Sequence, residues 1–314
     1  MAAQASSFRL ALVQLAVGSN KATNLSRAAE KVREAAQNGS KIVALPECFN
    51  SPYGTQYFKD YAEEVPAETG QPGPGAGESC KALSQVAREC GVFLVGGSIP
   101  EVRKGKYYNT SMSFGPDGAL LGVFRKVHLF DIDIPGKQKF KESDILSPGD
   151  KLLSFDTDWC KVGIGICYDL RFYELASIYG LRGCKLLLYP GAFNTTTGPL
   201  HFELLIRGLA ANNQLFVAGV SPAQDLTASY HAWGHSMLCN PWGKVVVSAD
   251  EKEGIVYGEV DLSEVDRVRS QIPVTAQKRW DLYSITDRLA HNYNLLYTQF
   301  TNTPFLLLVI HDVG

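Results

Sequence analysis

A glutamate, a lysine and a cysteine each follow an apolar run in this 314-residue chain: Glu47 after VALP, Lys126 closing LLGVFRK and Cys167 closing KVGIGI. Their types suit nucleophilic catalysis. A thiolate attacks carbonyl carbon, and it needs a positive neighbour to form near neutral pH. A lysine supplies that charge and can later stabilise an oxyanion. A carboxylate can carry protons between thiol, leaving group and water. Taken singly, each residue has a plainer reading. Free cysteine is among the most buried residue types, so Cys167 alone reads as a small core hydrophobe. Glu47 reads as the start of a surface loop, and Lys126 beside Arg125 as a solvated edge. His128, in V-H-L-F, offers a rival Cys–His pairing or a place in the core or behind the site. His231 and His235 have the residue type of metal ligands, but they lie between a loop and a strand without enough partners for zinc. No metal is expected.

The elements that would position the three residues can be read from periodicity. Phe8–Leu15 has a buried-strand pattern. Leu25, Ala28, Ala29, Val32, Ala35 and Ala36 follow helical spacing, with Asn24 or Thr23 as N-cap and Gly39 beyond the end. Ile42–Leu45 is a strand that runs into Pro46-Glu47. Leu83, Val86, Ala87 and Cys90 mark a helix, and Val92–Gly96 a strand. Tyr107–Phe114 and Ala119–Val127 flank Gly115-Pro116-Asp117-Gly118 as a hairpin. The second half repeats the order. Strands are expected at Val162–Ile166, Lys185–Tyr189, Leu215–Val220 and Ile255–Val260, with a pair around Asn240–Gly243. Helices are expected at Phe172–Tyr179 and Pro199–Asn212. Two such halves imply an α/β chain with two mixed sheets packed together and helices outside. In such sheets ligands gather outside the carboxyl ends of strands, where Glu47 and Cys167 stand. Gly70–Gly77 reads as a loop insertion, not a linker.

Composition narrows the class. The chain is 45% hydrophobic and 20% charged with net charge −2, which fits a globular protein and gives no basic surface for nucleic acid. The longest apolar run, Phe305–Ile310, is far short of the roughly 20 residues that span a bilayer, so no membrane partner is expected. Seven cysteines lie scattered without CxxC spacing, which indicates neither a disulfide framework nor structural zinc. Cys48 adjoins Glu47 and could line the same pocket. The N-terminus has no basic n-region and reads as no signal peptide. The sequons at Asn24, Asn38, Asn109 and Asn194 are then chance matches. A cytoplasmic location follows as the simplest expectation, with a mitochondrial one left open.

LPECFNSPYG around Glu47, FRKVHLFDIDIPG around Lys126 and GIGICYDLRFYELA around Cys167 resemble the three signature blocks of the nitrilase superfamily of carbon–nitrogen hydrolases. YPGAFNTTTGP, HAWGHS and PWG extend the resemblance toward its omega-amidase branch. The resemblance implies an α-β-β-α sandwich and a homodimer. It makes Glu47 the general base, Lys126 the catalytic lysine and Cys167 the nucleophile. It also singles out Glu142 in KFKES as a second glutamate that orients the lysine or the substrate amide. By itself Glu142 lies in a charged stretch that reads as a solvated face. The implied reaction passes through a thioester on Cys167, with Lys126 and the Tyr168 N–H holding the oxyanion, and it needs no cofactor.

The same resemblance implies short dicarboxylic acid monoamides, 2-oxoglutaramate and 2-oxosuccinamate, as substrates. A substrate with a free carboxylate needs a fixed cation. Arg171, four residues after Cys167, could bind it bidentately, or could form a structural salt bridge to Asp169 or Glu174. Tyr53, Phe130 and Thr195 are carried over as pocket walls. Other branches share the chemistry: deaminated glutathione amidases, nitrile hydrolases and carbamoyl-amide hydrolases. A catalytically silent dimeric scaffold and a redox-sensing thiol protein centred on Cys167 are the rivals from other classes. The likeness fades after residue 286. Residues 1–286 therefore read as one hydrolase domain and 287–314 as a divergent apolar tail.

Overall fold

A computed structural model describes residues 6–65 and 67–289. Its elements run in chain order β1 (Ser7–Gln14), α1 (Lys21–Gln37), β2 (Ile42–Ala44), α2 (Phe58–Tyr61), α3 (Glu78–Cys90), β3 (Phe93–Val95), β4 (Ile99–Arg103), β5 (Lys106–Phe114), β6 (Leu120–Arg125), β7 (Asp131–Ile134) and β8 (Gln138–Lys141). The second half continues with β9 (Leu153–Asp156), β10 (Lys161–Ile164), α4 (Tyr173–Leu181), β11 (Cys184–Pro190), α5 (Gly198–Asn213) and β12 (Phe216–Val220). It ends with β13 (Met237–Cys239), β14 (Val245–Ser248), β15 (Gly254–Asp261), α6 (Leu262–Gln271) and α7 (Val274–Gln277).

Alternation along β1 builds the layers. Leu10 and Leu12 point into a core shared with Val162, Ile164, Leu186 and Leu188 of the other half. Ala11 and Val13 point the opposite way, onto Ala28, Val32 and Ala35 of α1 and Leu83 and Val86 of α3. Each leucine so buried contributes on the order of 2 kcal/mol of transfer free energy. On the far side, Leu175 and Tyr179 of α4 and Phe202 and Ile206 of α5 cover the second sheet. The result is an α-β-β-α sandwich. One sheet has seven strands in the order β15-β1-β2-β3-β5-β4, with β6 paired to β5. The other has six, in the order β14-β13-β12-β11-β10-β9. The centres β1-β2-β3 and β10-β11-β12 are parallel, and the flanks are antiparallel. Strands buried on both faces lose strict alternation, which is why these centres read as continuous apolar runs.

The structure differs from the sequence reading at the N-cap of α1 and in unexpected elements, among them helices α2, α6 and α7. The N-cap of α1 is Asn20, whose Oδ1 accepts the Thr23 N–H at 2.9 Å. Asn24 sits buried inside the first turn and clamps Gly18 through both amide atoms. Strands β4, β7, β8 and β9 were not expected. Three of these four are only four residues long, and β7 and β8 form a small separate hairpin. Residues 290–314, most of the expected tail, lie outside the described residues. Asp287 is tied to the body, 2.7 Å from Arg182 Nε. Among the described residues no helix is long and apolar enough to cross a membrane.

Candidate active site

Glu47 and Cys167 both lie just past the ends of central parallel strands, Glu47 after β2 and Cys167 after β10. Lys126 directly follows β6, and Glu142 opens a short 3-10 turn after β8. Cys167 starts another such turn, through Arg171, with φ of +48°. That left-handed backbone costs a non-glycine residue roughly 1 kcal/mol or more, so the surroundings must hold it. Asp169 does so by accepting the Ile166 N–H at 2.9 Å. Gly191 leaves the room: a Cβ there would stand 3.1 Å from Cys167 Cα.

The four chemical groups converge. Glu47, Lys126 and Glu142 are each fully buried, at 0% exposure, and Cys167 nearly so at 4%. Lys126 Nζ donates to Glu47 Oε1 at 3.0 Å and to Glu142 Oε1 at 3.0 Å. The Asn109 amide donates to Glu47 Oε1 at 2.8 Å, and the Ala192 N–H to Glu47 Oε2 at 2.7 Å. Glu142 accepts the Tyr53 hydroxyl at 2.7 Å and the Phe130 N–H at 2.7 Å. The Cys167 thiol and the Glu47 carboxylate are near enough to shift each other's protonation.

Burial and charge set the protonation states. Burial works against the Lys126 ammonium, but Glu142 and Glu47 outweigh it and hold its pKa well above the usual lysine value. Burial raises the pKa of Glu47, with Glu142 adding to the rise and Lys126 opposing it. Burial, followed by the Glu47 charge, pushes the Cys167 thiol well above the usual thiol value, with Lys126 pulling the other way. These directions favour a thiol over a preformed thiolate at Cys167, with Lys126 the group that opposes the rise. Two carboxylates around one ammonium leave no net positive charge to stabilise a thiolate, and they place a proton acceptor, Glu47, beside the sulfur.

Tyr53 and Phe130 are joined to this group through Glu142. Tyr168 follows the cysteine, and its ring centroid is 5.3 Å from that of Phe130. As the second residue of its turn, Tyr168 carries an N–H of the kind that has no partner within a helical turn. Arg171 forms neither expected salt bridge. Its guanidinium lies 3.2 Å from His201 Nδ1 and over the rings of Tyr168 and Phe193. Asp169 is already taken by Ile166 and His128, and Glu174 stands exposed on α4. The His128 ring stacks on Phe172 with centroids 3.6 Å apart, and its Nδ1 lies 2.7 Å from Asp169 Oδ1. That geometry turns the ring to the aspartate rather than to a Cys–His pair. Thr195 donates its backbone N–H to His231 O at 3.2 Å. Among the described residues, no three His, Cys, Asp or Glu side chains gather as a metal site.

A cavity of about 230 Å3 reaches this group. Glu47, Cys48, Ser51, Tyr53, Ala192 and Tyr230 are among its walls. Asn109 and Tyr230 escaped the sequence reading. The Tyr230 hydroxyl donates to Ala192 O at 2.6 Å, and its ring centroid is 4.5 Å from that of Tyr53. Asn109 sat in view within N-T-S-M-S, an unusually polar stretch for a buried strand.

A buried Glu–Lys–Cys group at strand ends of an α-β-β-α sandwich defines a carbon–nitrogen hydrolase of the nitrilase superfamily. The chain belongs to that family: the carbon-nitrogen hydrolase family model matches residues 9–270. Among its relatives are omega-amidase NIT2 of Danio rerio, 59% identical over 280 residues, covering 89% of this chain and 98% of that protein. The omega-amidase NIT2 of Homo sapiens is 58% identical over 279 residues, with 89% and 98% covered. The crystal structure of Saccharomyces cerevisiae Nit3, a member of branch 10 of the nitrilase superfamily, is similar with a TM-score of 0.79. It is 43% identical and covers 87% of this chain and 97% of that one.

Proposed function

We propose that this hydrolase is an omega-amidase that cleaves 2-oxoglutaramate and 2-oxosuccinamate to the 2-oxo dicarboxylic acids and ammonia. One observation carries the mechanism: inside one buried group the Glu47 carboxylate holds the Lys126 ammonium at 3.0 Å and interacts with the Cys167 thiol. Relatives named omega-amidase at 58–59% identity support the substrate class.

Glu47 takes the thiol proton as sulfur attacks the amide carbon, so the S–C bond forms while the carbonyl electrons move to oxygen. Lys126 and the Tyr168 N–H hold the oxyanion. A single such donor is worth roughly 3 kcal/mol in a site closed to water. The tetrahedral carbon collapses, the C–N bond breaks, and Glu47 returns the proton to the leaving nitrogen. Ammonia leaves a thioester on Cys167. Glu47 then deprotonates water, which attacks the thioester. The C–S bond breaks and the proton passes back to sulfur. Glu142 keeps Lys126 charged and aimed. Phe130 and Tyr53 wall the acyl chain, Arg171 takes the far carboxylate, and Thr195 contributes to the outer wall. Two such sandwiches pair as a homodimer, which size-exclusion chromatography with light scattering would test.

Ammonia release from 2-oxoglutaramate by wild type and Cys167→Ala tests the reading. Wild type turns over and the variant does not. Equal rates, or turnover only on nitriles or carbamoyl compounds, would overturn it.

A further inference from the structure

Thioester chemistry has a traffic problem: ammonia must leave and water must arrive at Glu47 while the acyl group still fills its own pocket. The 230 Å3 cavity has walls suited to that traffic and unsuited to the substrate. Its lining includes Glu47, Cys48 and Tyr53, the last a wall shared with the acyl pocket, but not Cys167, Tyr168, Phe130 or Arg171. Among its described lining residues there is no lysine, arginine or histidine, whereas two carboxylates border it, Glu47 and Asp225. A dianionic dicarboxylate product or a carboxylate-bearing monoamide substrate would meet repulsion there with no compensating cation. Water and ammonium meet none. Asp225 stands exposed and holds its charge firmly, because the Thr227 hydroxyl and N–H both donate to it and keep its pKa below the usual carboxylate value.

The cavity also contains an unmet hydrogen-bonding group. Ser51 Oγ is buried, at 1% exposure, and has no partner. A buried hydroxyl left so costs roughly 1–3 kcal/mol unless water occupies the space beside it. At about 30 Å3 per molecule the cavity has room for several waters, and Ser51 and Glu47 give them polar partners.

We infer that this cavity is the water-entry and ammonia-exit passage of the site, separate from the acyl pocket beside Arg171. The inference rests on the amidase reading. Ammonia formed at Glu47 moves out past Ser51 toward Asp225. Water moving inward reaches Glu47, which takes one proton as oxygen bonds to the thioester carbon.

Two variants narrow the passage without touching the four groups: Ser51→Val within it and Ala228→Phe at its half-buried rim. Slowing deacylation lowers kcat and KM together and leaves kcat/KM unchanged, whereas blocking substrate binding lowers kcat/KM. We expect either variant to lower kcat by about tenfold with KM lowered rather than raised, as water entry becomes limiting, and intact-protein mass spectrometry to show acyl-enzyme accumulating on Cys167. A raised KM with lowered kcat/KM and no acyl-enzyme would make the cavity the substrate pocket and overturn the inference. Unchanged kinetics in both variants would overturn it as well. Failure of the amidase reading is distinct: wild type itself would then release no ammonia from any amide.

Discussion

Lys126 Nζ stands 3.0 Å from Glu142 Oε1 and 3.0 Å from Glu142 Oε2, so one carboxylate embraces one ammonium with both oxygens. Neither side chain is exposed. The pairing explains how a lysine stays charged in a dry site, where burial alone would discharge it. It also predicts an asymmetry. Glu142→Gln keeps the shape but removes the charge and one acceptor. It should lower kcat by roughly 10²-fold with little change in KM, because the lost interaction matters most as the oxyanion forms. A Tm close to wild type would separate this from unfolding. If kcat held, Glu142 would serve only the fold.

The protonation pattern gives a pH test. On the proposed mechanism the working form has Glu47 ionised and the Cys167 thiol intact. Glu47 is raised by burial, so the acid limb of kcat/KM should lie above the usual carboxylate value of 4.5. The thiol is raised by burial and by Glu47, so the alkaline limb should lie above the usual thiol value of 9.0. Because the groups interact, the two limbs belong to the cluster as a whole. Alkylation of Cys167 by iodoacetamide should climb steadily from neutral to alkaline pH. Fast alkylation at pH 5 would reveal a preformed thiolate and defeat this account. For stability the sign follows from Lys126. Its folded pKa is raised, so its contribution is complete below the usual value of 10.5 and is lost as pH climbs through the folded value.

Arg171 can be tested by comparing substrates. A guanidinium on a substrate carboxylate is a charge-assisted pair worth roughly 2–3 kcal/mol. Arg171→Ala should therefore lower kcat/KM for 2-oxoglutaramate by about 10²-fold, yet leave a short uncharged amide nearly unaffected. The expectation fails if both substrates lose equally, which would assign Arg171 to packing against Tyr168 and Phe193.

Much of this arrangement was legible in the sequence, and the exceptions have physical causes. Glu47 and Cys167 announce themselves because each ends a buried apolar run, and strand ends are where side chains leave the sheet toward a site. Both halves of the sandwich were readable because α1, α3 and α4 follow buried faces at helical spacing. Glu142 was not readable from its own surroundings. The signal was the alternation K-F-K-E, which places Phe140 and Glu142 on the same side of β8, away from the exposed Lys139 and Lys141. Charge density masked it. Tyr230 and the Ala192 N–H were invisible for another reason. Ala192 meets Glu47 across 145 residues and Tyr230 joins through Ala192 O, and no local pattern encodes such meetings.

Asp169 provides the remaining test, because it holds the turn that carries the proposed nucleophile, Cys167. Its Oδ2 accepts the Ile166 N–H at 2.9 Å, while its Oδ1 faces the His128 N–H at 3.0 Å and His128 Nδ1 at 2.7 Å. Every one of its contacts is with a nitrogen, and two of these are donors by necessity. Asparagine cannot satisfy them, since its NH2 group must face one backbone N–H. Asp169→Asn should cost about 1–3 kcal/mol of stability through that mismatch. It should also free the strained Cys167 backbone, slowing both turnover and Cys167 alkylation. His128→Ala removes the ring but leaves the backbone bond, so its effect on stability should be smaller. Differential scanning calorimetry and alkylation rates read the two consequences separately. An Asp169→Asn protein with wild-type Tm and wild-type thiol reactivity would show that the turn holds Cys167 in place without the aspartate.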